Sequence, residues 1–413
     1  MAEGTTNDCE FFAMRDLMPE GRPVLVLAPM QDVTDLPFMR VMARHGGADV
    51  YVTEYFRVHA HSKPDAWIMR SVDENPTGRP VFAQMIGQDV DDLVRVAKLL
   101  LQHPVAGVDL NLGCPAPVVC KKDAGGGLLR NPAKVDTILG ALRDAIPGRF
   151  TVKTRVGYHS HEEFPGLLEI FRKHGIDSLA IHGRTVVERY QTPVHPECVR
   201  MAKEVMKCPV IANGNVVDVA TGLAYLEKSG ADGLMIGRGA IRNPFLFEQL
   251  RRETQDWKTS DARLEERQKA ERRDASRTDG GGTPEPRGDT EDWKAPDARL
   301  EVEGGAEALK RERLEPTCRD LLGYVRMLYE ELAGTTRHFD ELGHVQRMKK
   351  TMVFVSQGLG EEFEFRIRRA KTPEDFHSAC ADRLENDELV PVSPGVGSRL
   401  FCGFEELVGS GAA

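Results

Sequence analysis

From Pro23 to about Leu250, short apolar runs alternate with stretches whose apolar positions fall at helical spacing. The apolar runs are Val24–Met30, Asp49–Tyr55, Pro80–Gly87, Gly107–Gly113, Phe150–Gly157, Ser178–Gly183, Pro209–Gly214 and Gly233–Gly239. Each is nearly continuous in apolar residues, which is the pattern of a strand buried on both faces of a parallel sheet. Between them, Asp91–Gln102, Pro132–Ala145, Glu162–His174 and Val217–Ser229 read as helices. Eight strand–helix units in a segment of this size predict an α/β fold, a (β/α)8 TIM barrel over residues 23–251. The rival is an open doubly wound sheet. It calls for a GxGxxG turn after the first strand, where this chain has Ala28-Pro29-Met30-Gln31.

The pattern changes after the barrel. Residues 252–313 are highly charged, poor in apolar positions, and include Gly280-Gly281-Gly282. Asp256-Trp257-Lys258 followed by Asp261-Ala262-Arg263-Leu264-Glu265 recurs as Asp292-Trp293-Lys294 followed by Asp297-Ala298-Arg299-Leu300-Glu301. Two copies do not build a solenoid, so this region reads as a duplicated, flexible linker. Helical periodicity returns over 314–385. Leu321, Leu322, Val325, Leu328, Tyr329 and Leu332 form one apolar face, and Val345, Met348, Met352, Phe354 and Val355 a second. This predicts a smaller C-terminal helical domain. Residues 1–22 read as an N-terminal extension. Residues 386–413, with Pro391, Pro394, Gly395 and Gly397, read as a flexible tail.

Composition narrows the class. The 413 residues are 41% hydrophobic, enough for a sizeable core and incompatible with disorder of the whole chain. The formal net charge is -9, so any nucleic-acid partner must be held by local basic patches. Eight scattered cysteines with no CxxC pair read as reduced thiols and predict no metal site. No apolar run is long enough for a membrane span, and Glu3, Asp8 and Glu10 near the start are unlike a signal peptide. A cytoplasmic monomer without membrane contact is expected.

In such a barrel, chemistry sits at the C-terminal ends of the strands. Those ends carry Met30, Gln84, Asn111, Cys114, Lys153, Arg155, His182, Asn213, Asn215 and Arg238. Glycine-containing loops after the last two strands, around Gly214 and Gly237, match the usual phosphate cradle, and Arg238 adds a charge. A lysine such as Lys153 inside an apolar strand needs an anion. Either Asp109 on the neighbouring strand or the electron-rich edge of a reduced flavin would serve, and strand periodicity does not choose between them. An ordinary thiol, with a pKa of about 8.5, is mostly protonated at pH 7. Cys114, where the fourth strand enters its loop, could therefore donate a proton, or attack as a nucleophile if deprotonated. Cys120 reads as a bystander.

Taken together, these residues resemble the tRNA-dihydrouridine synthase family of flavoenzymes. The matching segments are LAPMQDVTD at 27–35, QMIG at 84–87, VDLNLGCPAP at 108–117, GGGLLRNP at 125–132, VKTRVGY at 152–158, IHGRT at 181–185, VIANGNV at 210–216 and MIGRGAIRNP at 235–244. They occur in family order across the whole barrel. VTEYFRVH at 52–59 looks nearest to a bacterial branch that modifies the D-loop. The charged insertion and the tail depart from the family pattern.

The resemblance implies FMN as cofactor, NADPH as reductant and tRNA as partner, with reduction of the C5=C6 bond of specific uridines. It implies that Ala28, Pro29 and Met30 line the FMN, that Gln84 contacts its ring, and that Lys153 and His182 bind flavin. Asn213, Gly214, Asn215, Gly237 and Arg238 would hold the phosphate. Asn111 and Arg155 would lie near the target base, and Cys114 would be the catalytic acid. Hydride would pass from flavin N5 to C6 and the proton from the thiol to C5, on a uridine taken out of its stack.

For tRNA, Arg347, Lys349, Lys350 and Arg368 in the helical domain, and Lys121 and Lys122 beside Cys114, are the candidate contacts. Two rivals remain at this point. One is a flavin barrel acting on a free pyrimidine, which needs no basic helical domain. The other is a non-enzymatic tRNA-binding protein, which needs neither Cys114 nor the flavin set.

Overall fold

A computed structural model describes residues 14–255, 257, 314–335, 341–395 and 397–408. The strands are β1 (Val24–Leu27), β2 (Val50–Val52), β3 (Phe56–Arg57), β4 (Val81–Ile86), β5 (Gly107–Leu112), β6 (Phe150–Arg155), β7 (Ser178–His182), β8 (Val210–Asn213) and β9 (Gly233–Ile236). All pair in parallel. β1 pairs with β2 and β9, and β2 pairs with β4, so eight strands close into a barrel. The two-residue β3 pairs only with the upper end of β4. The predicted TIM barrel and its eight strands are therefore observed, and the second strand splits around Thr53–Tyr55. Helices follow the strands, among them Leu36–Arg44, Val90–Leu100, Pro132–Ala145, Phe164–Lys173, Pro196–Val205 and Val219–Ser229.

Side chains alternate across each strand, so one set fills the barrel and the other meets the helices. Leu25 and Leu27 face outward into the large apolar layer under the helices, while Val24 and Val26 belong to the inner core. That inner core also holds Val50, Val52, Phe82, Ala180, Ile211 and Met235. Met14 is buried in the same cluster, with Leu17 and Met18 packed against it. The described part of the N-terminal extension thus plugs the barrel floor. Asp89, Asn131 and Asp218 cap three of the surrounding helices by accepting from backbone amides in the first turn.

The C-terminal helices Cys318–Thr335, Glu341–Val355, Glu361–Arg369 and Pro373–Leu384 form as the periodicity predicts. Leu321, Leu322, Val325, Leu328, Val345, Met348, Met352 and Val355 are buried. The first of these helices packs on Leu36–Arg44, and Glu341–Val355 packs on the short Arg238–Arg242 helix. The charged linker proposed for 252–313 lies outside the described residues from 258 onward. Before it, the barrel's last helix runs Leu246–Glu253, two residues beyond the expected boundary.

The tail differs from expectation. Its described residues fold back onto the barrel instead of trailing free. Arg242, 2% exposed, donates to the carbonyls of Gln357, Pro391, Val392 and Ser393. Phe401, Phe404 and Leu407 are buried. Proline and glycine in 391–397 signal turns, and turns do not reveal that a buried guanidinium awaits their carbonyls.

Basic residues of the helical domain meet acids of the barrel. Arg347 pairs with Asp35 at 2.6 Å, and Lys350 pairs with Asp32 at 2.9 Å. Asp35, 4% exposed, also caps the Leu36–Arg44 helix. Its burial outweighs Arg347 and raises its pKa. Beside them Glu54 is buried with Oε1 unpartnered. Burial, followed by the nearby Asp35 charge, raises its pKa from 4.5 to about 7.

Two outcomes are expected. Arg347→Ala leaves Asp35 buried without its counter-charge and should cost about 3 kcal/mol, read as a lower urea midpoint. Glu54 binds its proton more tightly folded than unfolded, so its contribution falls as pH rises from 4.5 to about 7. Glu54→Gln removes that loss. Relative to the parent, the variant should gain on the order of 2–3 kcal/mol between pH 4.5 and pH 8; an unchanged difference across that range refutes the assignment.

Candidate active site

Strand register assembles the site. β5 and β6 place Asn111 beside Lys153, β6 and β7 place Arg155 beside His182, and β7 and β8 place His182 beside Asn213. All point into the barrel at its C-terminal end. There they line a cavity of about 420 Å³, within the range of cofactor sites. Ala28, Pro29, Met30, Cys114, Gly214, Asn215, Gly237 and Arg238 line it too. Tyr55, Arg189, Tyr190 and Phe401 complete the walls.

The cavity's charge is one-sided. Lys153, Arg155, Arg189 and Arg238 line it, and among the described residues no carboxylate does. Lys153 makes no ion pair or side-chain hydrogen bond with a described residue. Burial, then the Arg155 charge, lowers its pKa to about 8. Asp109, the alternative partner, is held by Thr151 Oγ1 at 2.6 Å and Gln84 Nε2 at 2.8 Å, and burial raises its pKa to about 6. The structural ion pair is thus not formed. His182 is buried with Nδ1 unpartnered. Desolvation, then Arg155, Lys153, Arg184 and Arg238, push its pKa well below the ordinary value, so it is a neutral imidazole at pH 7.

Gln84 is buried within the barrel. It does not line the cavity. Its Nε2 donates to Asp109 and its Oε1 accepts from Asn111 Nδ2 at 2.8 Å, so it sits one layer below and orients Asn111. Asn111 Oδ1 in turn accepts from the amides of Gly113 and Cys114 at 3.0 and 2.9 Å. Arg155 faces the cavity, yet its donors go to the carbonyls of Gly113, Thr185 and Arg189 at 2.8 Å each. It braces the loops that carry Cys114 and Tyr190.

The Cys114 loop is held from behind. Its carbonyl accepts from the Gly126 amide at 3.1 Å and from the Cys120 thiol at 3.5 Å. Gly125 has φ +54°, and a Cβ on Gly126 would meet that carbonyl at 2.9 Å. The Gly-Gly-Gly run at 125–127 therefore permits the close packing that fixes the thiol at the cavity rim. Cys120 supports the loop and is no longer a mere bystander.

At the opposite wall, Gly214 has φ +116° and Asn215 φ 55°. Asn213 Nδ2 donates to Met235 O at 2.7 Å. Asn215 lines the cavity, but its side-chain amide is engaged with the chain. It accepts from Arg184 at 2.9 Å and donates to the carbonyls of Cys402 and Gly403 at 3.2 and 2.6 Å. Arg238 lies over the Tyr190 ring at 4.6 Å and donates to the Leu400 carbonyl.

The outer basic residues divide. Lys121 and Lys122 are exposed on the loop beyond Cys114. Arg347 and Lys350 pair with Asp35 and Asp32 and join barrel to helical domain, and Lys350 stays exposed. Lys349 is half-buried, and Arg368 pairs with Glu364 on its own helix at 3.0 Å. Sequence reasoning missed Tyr55, Tyr190 and Phe401. Tyr55 stands in the quoted VTEYFRVH run and was within reach; the other two lie on loops with no periodicity to mark them.

At the level of sequence, the chain is similar to one family of known proteins. The family described as "Dihydrouridine synthase (Dus)" matches residues 26–277. The chain is 34% identical over 236 residues to the "Probable tRNA-dihydrouridine synthase 2" of Bacillus subtilis, covering 55% of this chain and 72% of the relative. It is 32% identical over 241 residues to the "tRNA-dihydrouridine(16) synthase" of Neisseria meningitidis, covering 56% and 72%. To the "tRNA-dihydrouridine synthase B" of Pseudomonas putida it is 34% identical over 233 residues, covering 55% and 67%. Among solved structures, the old yellow enzyme homologue of Zymomonas mobilis matches at 14% identity, covering 57% of this chain and 89% of that one, with a TM-score of 0.41. With more than half its length matched to that family, this chain belongs to the dihydrouridine synthases.

Proposed function

We propose that this chain is an FMN-dependent tRNA-dihydrouridine synthase that uses NADPH and reduces the C5=C6 bond of specific uridines in tRNA. The observation that carries the reading is the cavity with four cationic side chains and, among the described residues, no carboxylate, faced by a thiol at its rim. Arg155 is buried, Lys153 and Arg238 are half-buried and Arg189 is exposed. Positive charge withdrawn from water without a counter-ion is costly, so such a cavity favours an anionic ligand.

The residues fit that cofactor. Lys153 and the orphaned Nδ1 of His182 are unsatisfied polar groups deep in the cavity. They suit the polar edge of a flavin ring. Ala28, Pro29 and Met30 supply apolar wall, and Gly214, Gly237 and Arg238 supply the phosphate end. FMN, when bound, supplies the hydride.

The chain's own residues do the rest. Asn111 and Arg155 hold the loop that presents Cys114, so the thiol is fixed relative to the cavity. Reduction of a conjugated C5=C6 bond leaves a carbanionic centre at C5 that needs a proton, and a neutral thiol is a suitable general acid near pH 7. Lys121 and Lys122, exposed beside that loop, would meet phosphate groups of an RNA whose base enters the cavity.

Two measurements test this. Under anaerobic conditions, NADPH should bleach the flavin band near ~450 nm, and unmodified tRNA, but not free uracil, should restore it. Reoxidation by uracil alone moves the protein to free-pyrimidine chemistry, and a colourless protein refutes the flavin assignment. Cys114→Ala should retain FMN and tRNA binding while turnover falls about 10²–10⁴-fold. Turnover equal to the parent's removes Cys114 from the acid role.

A further inference from the structure

The C-terminal segment reaches the part of the cavity where Asn215, Gly237 and Arg238 converge. Three backbone carbonyls of the segment are gripped from below. Leu400 O accepts from Arg238, and Cys402 O accepts from Arg184 at 2.9 Å and Asn215 at 3.2 Å. Gly403 O accepts from Asn215 at 2.6 Å. Phe401 is 2% exposed and lines the cavity itself. Its ring lies 5.5 Å from the Arg238 guanidinium and meets Phe354 edge-on at 6.4 Å. With Val217 and Phe404 it forms a small apolar cluster of its own.

These contacts cover charge without neutralising it. A carbonyl satisfies a guanidinium hydrogen bond but brings no negative charge. Arg238 therefore keeps its attraction for an anion while Phe401 shields it from water. Excluding water from such a pair strengthens it, because the local dielectric falls.

We infer that residues 397–404 form a retaining wall over the phosphate end of bound FMN, with Phe401 as the side chain that closes it. The inference rests on the flavin assignment above. The wall acts on the phosphate and not on the ring, so it distinguishes FMN from riboflavin. A phosphate leaving the cavity on this side must pass the Phe401 ring.

The test is binding of FMN and of riboflavin to the full chain, followed by flavin fluorescence. Phe401→Ala is compared with the parent and with Phe401→Leu, which keeps apolar bulk. Phe401→Ala should weaken FMN about tenfold (about 1.4 kcal/mol), chiefly through faster release, while riboflavin changes less than about twofold. Phe401→Leu should recover most of the FMN affinity. Equal losses for FMN and riboflavin would mean that the variant merely disturbs the barrel mouth, and the wall is then wrong. Unchanged FMN affinity and release in Phe401→Ala, with a parent that binds FMN, also overturns the wall but leaves the flavin reading standing. A parent that does not bind FMN overturns both.

Discussion

Positive charge that no carboxylate among the described residues pairs is the constraint around which the active end of this barrel is arranged. Lys153 sits on β6 with its ammonium paired to no described residue, flanked by Arg155 and faced by a neutral His182. The acid that could have neutralised it, Asp109, is one inward position away and tied to Thr151 and Gln84. A lysine held in this way costs stability unless a ligand brings the missing charge. The charge imbalance is thus a property of the site itself.

The arginines at the barrel mouth show a different solution to the same cost. Arg155, Arg184 and Arg242 are fully buried, and the hydrogen bonds they make go chiefly to backbone carbonyls. Each one therefore joins segments far apart in sequence. Arg155 ties the Cys114 loop to the loop after β7, Arg184 ties β7 to the tail, and Arg242 ties the last strand's helix to residues 391–393. The planar guanidinium suits this task, since several fixed donors can serve several carbonyls at once. Ion pairs do the corresponding work farther out, where Arg347 and Lys350 dock the helical domain onto Asp35 and Asp32.

The site is also layered. Gln84 holds Asn111, Asn111 holds the amides of Gly113 and Cys114, and Gly126 and Cys120 hold the Cys114 carbonyl. Gln84, Gly126 and Cys120, which do not line the cavity, and Asn111, which does, thus position the Cys114 thiol at its rim. Preorganisation of this kind places a reactive group without using flexible side-chain entropy at the moment of reaction.

Much of this was legible in the linear chain. Eight buried apolar runs at regular spacing specify a closed parallel barrel, and polar residues at their ends mark the cavity, because alternation along a strand is a local property. The roles of Gln84, Asn215, Arg347 and Lys350 were not legible. Each carries the residue type expected of a ligand contact, and only the position of a distant acid, amide or carbonyl decides whether its polar groups face the cavity or are already taken. The tail shows the same limit most clearly. Its prolines and glycines specify turns, while the guanidiniums that capture Leu400, Cys402 and the 391–393 carbonyls lie more than 140 residues earlier in the chain. Local pattern determines elements and which face of each is buried. Long-range hydrogen bonding, which depends on how closed elements meet in space, decides which polar side chains remain free to act.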